Sequence, residues 1–97
     1  MIVKINKNEK GEIILAVCDK ELIGKCVEEE DKQLDLTTEF YAGEELSDIE
    51  TGDLIRNSYL VNLVGQKSIG LGLKEELIQK ENVKTIAGIP YAQFFVE

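Results

Sequence analysis

Residues 59–73 read YLVNLVGQKSIGLGL, the longest weakly charged run in a chain of which 31% is charged. Placed at 100° intervals with the residues just before it, Leu54, Ile55, Tyr59, Leu60, Val61, Leu63 and Val64 cover nearly a full circumference. This predicts a helix whose second half is buried. Its start is marked by Ser47-Asp48-Ile49-Glu50, a capping box: the Ser47 hydroxyl accepts from the Glu50 amide while the Glu50 carboxylate accepts from the Ser47 amide. Asp48, Glu50 and Asp53 fall in the first turns, where the helix dipole favours negative charge. Gly65 suits the position just after the last helical turn, where a positive φ is needed.

Beyond Gly65, Ser68-Ile69-Gly70-Leu71-Gly72-Leu73 alternates with the period of a strand, yet Ile69, Leu73 and Leu77 repeat with the spacing of a helix. Two interior glycines cost a helix roughly 2 kcal/mol relative to alanine. Lys74-Glu75-Glu76-Leu77-Ile78 is strongly helix-forming, and the helical reading is preferred. Its glycines would let the helix lie close against another element. Two main helices are thus expected, over about 47–64 and 67–79.

Toward the start, residues 2–6 alternate apolar and polar, a polar turn with Gly11 follows, and residues 12–18 (EIILAVC) are apolar on both faces. This predicts a hairpin whose second strand is central. Asp19 offers a side-chain cap to a short helix over 20–23, which Gly24 ends. Residues 25–29 and 33–37 read as two short strands with the acids Glu28, Glu29, Glu30 and Asp31 at a solvated tip. Toward the end, residues 83–89 and 91–96 read as strands around Pro90, which has no amide to donate and so interrupts or edges the ladder. The fold class is α+β: a small single domain, with a mostly antiparallel sheet of about five to six short strands packed against two main helices.

At 97 residues, 43% of them apolar, the chain has room for one core. No apolar run reaches the ~20 residues of a membrane span, and the start lacks a signal-peptide apolar region, which points to the cytosol. Cys18 and Cys26 match neither C-x-x-C nor a zinc spacing and are expected to be reduced and buried. The chain contains no histidine. Ser-His-Asp and Cys-His catalysis and the usual zinc and haem ligands are therefore excluded. Carboxylate-only magnesium or calcium sites stay open, but the acids show no EF-hand spacing, and no metal or cofactor is assigned. The net charge of −8 is uneven: residues 1–53 hold fifteen acids and six lysines, the remainder four acids and five bases. Such a field repels phosphate backbones, so direct nucleic-acid binding is not expected, whereas either a basic protein partner or simple solubility accounts for the acidity.

Few residues carry candidate chemistry. Gly65-x4-Gly70 has the glycine spacing of a phosphate loop, but Leu71 and Gly72 stand where Lys and Ser/Thr are required. Asn62, an amide among apolar residues, needs a partner, because leaving it unpaired costs about 1 to 3 kcal/mol. It bonds either the Gly65 turn or a strand end, or it faces a small polar pocket. Gln93, beside Pro90, admits the same two readings. Tyr41 either closes the core over the following helix or lines a pocket.

Cys18-Asp19-x-Glu21-Leu22-x-Gly24-Lys25, Phe40-Tyr41-x-Gly43, Asn62-Leu63-Val64-Gly65 and Gly88-Ile89-Pro90-Tyr91-Ala92-Gln93, in this order, resemble the archaeal domain-of-unknown-function family numbered 424. The resemblance spans almost the full chain. It implies a small archaeal cytosolic protein of mixed α and β structure and brings no established activity. Tyr91 stands where the family pattern has histidine. A phenol with a pKa near 10 cannot replace an imidazole in neutral acid–base chemistry, which favours a structural or binding role.

Two functions from different classes follow. One is a non-catalytic interaction protein whose acidic region over residues 21–53 meets a basic partner, of the kind that abounds in translation and RNA processing. The other is a small-ligand site or modest enzyme where the helix end over Asn62–Gly65 meets Pro90, Tyr91 and Gln93, with Tyr41 or Cys18 nearby and Asp19 on the same candidate surface. A homodimer through the edge over residues 91–96 is a third, simpler association.

Overall fold

The capping box forms as expected. In a computed structural model that describes residues 1–97, Glu50 N donates to Ser47 Oγ at 3.2 Å and Ser47 N to Glu50 Oε1 at 3.1 Å. In chain order the elements are β1 (Ile2–Lys7), β2 (Ile13–Cys18), β3 (Cys26–Glu29), β4 (Lys32–Asp35), β5 (Glu44–Glu45), α1 (Asp48–Arg56), β6 (Leu60–Val64), α2 (Gln66–Lys74), β7 (Lys84–Ile86) and β8 (Ile89–Phe95). Short 3-10 turns at Lys20–Leu22, Glu39–Tyr41 and Lys80–Asn82 punctuate the loops.

The α+β class holds, with two helices, a six-stranded sheet in the order β5-β1-β2-β6-β8-β7 and a separate β3–β4 hairpin. The extent of the first helix does not. The helix expected over 47–64 ends at Arg56, where Asn57 Nδ2 donates to Asp53 O and Ser58 Oγ to Leu54 O, each at 2.7 Å. These short polar side chains occupy the last helical carbonyls and turn the chain. Residues 60–64 then form the strand β6. A run that is apolar all round fits a strand covered on both faces as well as it fits a buried helix, and β2 and β8 on either side of β6 select the strand.

The second helix likewise stops at Lys74 rather than continuing to 79, because Glu76 takes φ 57° and Leu77 N and Ile78 N return to Gly72 O. Its glycines differ in role. A Cβ at Gly72 would stand 2.8 Å from Leu63 Cδ1 on β6, whereas one at Gly70 would meet nothing. Only Gly72 makes the close approach.

Val61 and Leu63 point to the helix side of the sheet and pack with Val3, Leu15, Val17 and the helical Ile55, Ile69 and Leu71. Val64 points to the opposite side, where with Cys18 and Leu36 it forms a second, smaller core roofed by Leu22, Ile23, Leu34 and Tyr41. The β3–β4 hairpin therefore completes the core on the face the helices leave uncovered. All sheet pairings are antiparallel except one: β2 and β6 are adjacent and parallel, with Cys18 beside Val64 at their carboxyl ends. Asp19 and Gly65 follow at the same end of the sheet.

Candidate functional site

Asp19 leaves β2 with its amide donating to Val64 O at 3.0 Å and is only 3% exposed. Its carboxylate does not cap the short turn that follows it. That turn forms, and Gly24 leaves it at φ 89°, but the carboxylate is directed at the start of α2 instead. Oδ2 accepts from Lys67 N at 2.9 Å, and Oδ1 accepts from Ser68 N and Ser68 Oγ, both at 2.8 Å. A nine-residue helix presents consecutive free amides and a positive dipole end, which a three-residue turn does not, so the buried charge goes to α2.

Gly65 is the junction of β6 and α2 rather than the end of a helix. Its φ is 106°, and a Cβ there would lie 2.3 Å from Asp19 Cγ. Only glycine allows the carboxylate to reach the helix at this point. Gly65 N donates to Pro90 O at 2.8 Å, so the ends of β2 and β6 and the beginnings of α2 and β8 meet at one residue. Pro90 enters β8 opposite Thr85 of β7, where its carbonyl is used and its missing amide is not needed.

These residues border a crevice of about 230 Å³, lined by Asp19, Glu21, Leu22, Gly65, Gln66, Lys67, Gly88, Ile89 and Pro90. Glu21 and Lys67 place opposite charges on its exposed rim. A larger hollow of about 340 Å³ lies beside β1 and β5, but five of its eight lining residues are hydrophobic and no such set of polar groups converges there.

Of the residues singled out from sequence, the structure brings Asp19, Gly65 and Pro90 together at the crevice. Tyr41 and Tyr91 lie against the small core of Cys18, Leu36 and Val64. Tyr41 packs edge-on against Phe40 with ring centroids 5.1 Å apart, and burial, with the neighbouring Cys18 adding to it, pushes its phenol up to about 12. Asn62 and Gln93 sit opposite one another on β6 and β8, where Gln93 Nε2 donates to Asn62 Oδ1 at 3.0 Å. The partner that Asn62 requires is thus a cross-strand amide on an open part of the sheet, outside the crevice.

Cys18 is fully buried, and desolvation first, then the nearby charges of Asp19 and Glu21, push its thiol up to about 12. Cys26, expected to be buried, is exposed on β3 because that strand belongs to the outer hairpin. Gln66, Lys67 and Ser68 were not singled out from sequence. Strand, glycine, two polar residues and serine opening a helix is their signal, and it is visible only once residues 60–64 are read as a strand.

No curated protein matches the chain. The fold is similar to that in a crystal structure of an uncharacterized conserved protein from Methanopyrus kandleri, at a TM-score of 0.77 and 20% identity over 99% of this chain and 92% of that one. A family model described as protein of unknown function (DUF424) matches residues 7–96, and the chain belongs to that family.

Proposed function

We propose that this chain is a non-catalytic interaction protein whose acidic face docks a basic protein partner. The carrying observation is charge left without countercharge. Glu28, Glu29, Glu30 and Asp31 are all exposed on the β3–β4 hairpin, and none of them is in an ion pair; the pairs present are Lys20–Glu45, Arg56–Asp53 and Arg56–Glu75. Glu39, Glu44, Asp48 and Glu50 extend the exposed acidity without a salt bridge. An array of unpaired carboxylates steers association with a basic surface and speeds it. The groups with potential for chemistry support the same reading. Cys18 and Tyr41 hold their protons at neutral pH, and the Asp19 carboxylate is consumed by three hydrogen bonds. Basic proteins of translation and RNA processing are the partner class proposed, with no direct nucleic-acid contact by this chain.

The test is recovery of a stoichiometric basic partner by the tagged protein, compared with a variant carrying Glu28→Gln, Glu29→Gln, Glu30→Gln and Asp31→Asn. Wild type should retain the partner at low salt and release it at high salt, and the variant should fail to retain it. Equal recovery by the variant, or no stoichiometric partner at all, rejects the proposal.

A second reading is favoured by one observation: the crevice at Asp19, Gly65 and Pro90 lies outside the carboxyl ends of the one parallel strand pair, the position at which open α/β sheets bind ligands. A small polar ligand there would raise the melting temperature of wild type and not of Lys67→Glu. Equal shifts in both would place any ligand elsewhere.

A further inference from the structure

The outer side of β8 is only half covered. Pairing with β7 runs from Ile86↔Ile89 to Lys84↔Tyr91 and stops, whereas pairing with β6 continues to Leu60↔Phe95. Gly65 N donates to Pro90 O and Val96 N to Tyr59 O, so the even-numbered residues of β8 turn their backbone groups to β6. Those of Gln93 and Phe95 therefore face outward, past the end of β7. Phe95 is 63% exposed and packs edge-on with Tyr59, itself 42% exposed, at a centroid separation of 5.3 Å. Along the same edge, on the helix side, runs a groove of about 330 Å³ bordered by Leu77, Asn82, Phe94 and Val96.

Sheet edges are commonly protected by lysines, by charge or by shortness. The other edges of this sheet carry charge or are short, although Ile5 on the unpaired part of β1 is also exposed. β1 beyond its pairing with β5 carries Lys4 and Lys7, β5 is two glutamates, and β7 is three residues long and begins with a lysine. Residues 93–96, Gln-Phe-Phe-Val, carry no charge at all. This is the edge left open to strand addition.

We propose that this edge pairs with the same edge of a second copy, antiparallel about a two-fold axis at Phe95. Register selects this arrangement. With Phe95 opposite Phe95 of the other copy, Gln93 falls opposite Glu97, and every outward-facing backbone group over residues 93–97 finds a partner. A shift of two residues one way places Glu97 opposite Tyr91, a position Lys84 already holds; a shift the other way sets Glu97 opposite Phe95 and carries it away from Lys84.

In the selected register Glu97 of one copy becomes the next residue along the edge from Lys84 of the other, on the same face of the sheet. Symmetry repeats this pairing of opposite charges at both ends. The two Phe95–Tyr59 pairs meet at the centre, while on the helix side Phe94 of one copy falls opposite Val96 of the other and the two grooves adjoin. The interface is small, so the dimer is expected to be weak, with Kd on the order of 100 µM.

Sedimentation equilibrium in about 0.15 M salt, where the repulsion between acidic copies is largely screened, provides the test. Wild type should dimerise as its concentration rises to about 1 mM. Phe95→Lys, at an exposed position, should remain folded by circular dichroism and weaken the dimer at least ~10-fold, because like charges then face each other across the axis. Lys84→Glu and Glu97→Lys should each weaken it a few-fold, and the two together should restore it. A wild type that stays monomeric throughout, a dimer indifferent to Phe95→Lys, or a double charge exchange that fails to restore association would each overturn the proposal. The proposal is independent of the basic partner: loss of the hairpin acids should leave dimerisation intact.

Discussion

Asp19 and Ser68 stand 49 positions apart in sequence, yet one carboxylate oxygen of Asp19 accepts at 2.8 Å from both the amide and the hydroxyl of Ser68. Together with the bond from Lys67 N, this joins the end of β2 to the start of α2 across the carboxyl end of the parallel pair. Removing the carboxylate leaves two amides and a hydroxyl in a largely closed site, and hydrogen bonds to a charged group contribute more than neutral ones. Asp19→Ala is expected to destabilise by roughly 2–3 kcal/mol, and Ser68→Ala, which deletes one bond of the set, by roughly 1 kcal/mol. Urea denaturation of both variants and the double variant measures this, and the combined loss should fall short of the sum because the two residues share a bond.

Gly65 should prove far less replaceable than Gly11, the positive-φ glycine of the β1–β2 turn. Gly65→Ala combines a Cβ at 2.3 Å from Asp19 Cγ with φ 106°, so the carboxylate must leave α2 or the turn must deform. A loss of about 3 kcal/mol or more is expected. Gly11→Ala, at φ 80° with nothing near its added carbon, should cost only about 1 kcal/mol. Thermal or urea unfolding compares them, and equal losses would show that backbone conformation alone, not the Asp19 contact, governs Gly65.

Gly70 and Gly72, two residues apart in α2, should respond with opposite signs. Gly70→Ala adds its methyl to open space and should stabilise by about 0.5–1 kcal/mol through helix propensity. Gly72→Ala forces Leu63 and Ile78 aside and should destabilise by about 1–3 kcal/mol, the range for overpacking a core. Denaturation midpoints decide it, and two shifts of the same sign would contradict the placement of α2 on β6.

The two cysteines should separate cleanly by reactivity. Cys26 is exposed, whereas Cys18 is buried with its thiol pushed up to about 12, so a thiol reagent near neutral pH should label Cys26 quickly and Cys18 only on unfolding. The same shift fixes an alkaline limb of stability. Below the ordinary thiol value of 9.0 both folded and unfolded states keep the proton, and the stabilisation is complete. As pH rises from there toward 12, the unfolded thiol ionises first and stability falls, with Tyr41 adding to the loss from its ordinary value of 10.0 upward. Cys18→Ala and Tyr41→Phe should each flatten this limb.

On the acid side, Glu50 provides the opposite case. The hydrogen bonds it accepts from Ser47, chiefly from the backbone amide, hold its carboxyl below the ordinary glutamate range. Its contribution to α1 is therefore present above that range and lost as pH falls through the lowered value. Titration of Glu50 by NMR should show the low midpoint, and Ser47→Gly should move it upward by removing the capping geometry that aligns the two residues. A midpoint unchanged by that substitution would contradict this cause.

What the sequence by itself determined were the features set by near neighbours. The Ser47–Glu50 capping box, the hairpin of β1 and β2, the turn ended by Gly24 and the acidic β3–β4 hairpin each rest on interactions spanning a few residues, so local pattern specified them. Helix or strand at residues 60–64 was decided by the tertiary structure alone. Leu60-Val61-Asn62-Leu63-Val64 is apolar enough to be buried on every side, and only the flanking β2 and β8 make its backbone groups those of a central strand. The partner of Asp19 was hidden for the same reason, since a carboxylate can cap whichever helix start the fold carries to it. Gly65 was legible as a turn from sequence, but only the crossing of β2, β6, α2 and β8 made it the point where they meet, because a backbone there can pass a buried carboxylate only without a side chain.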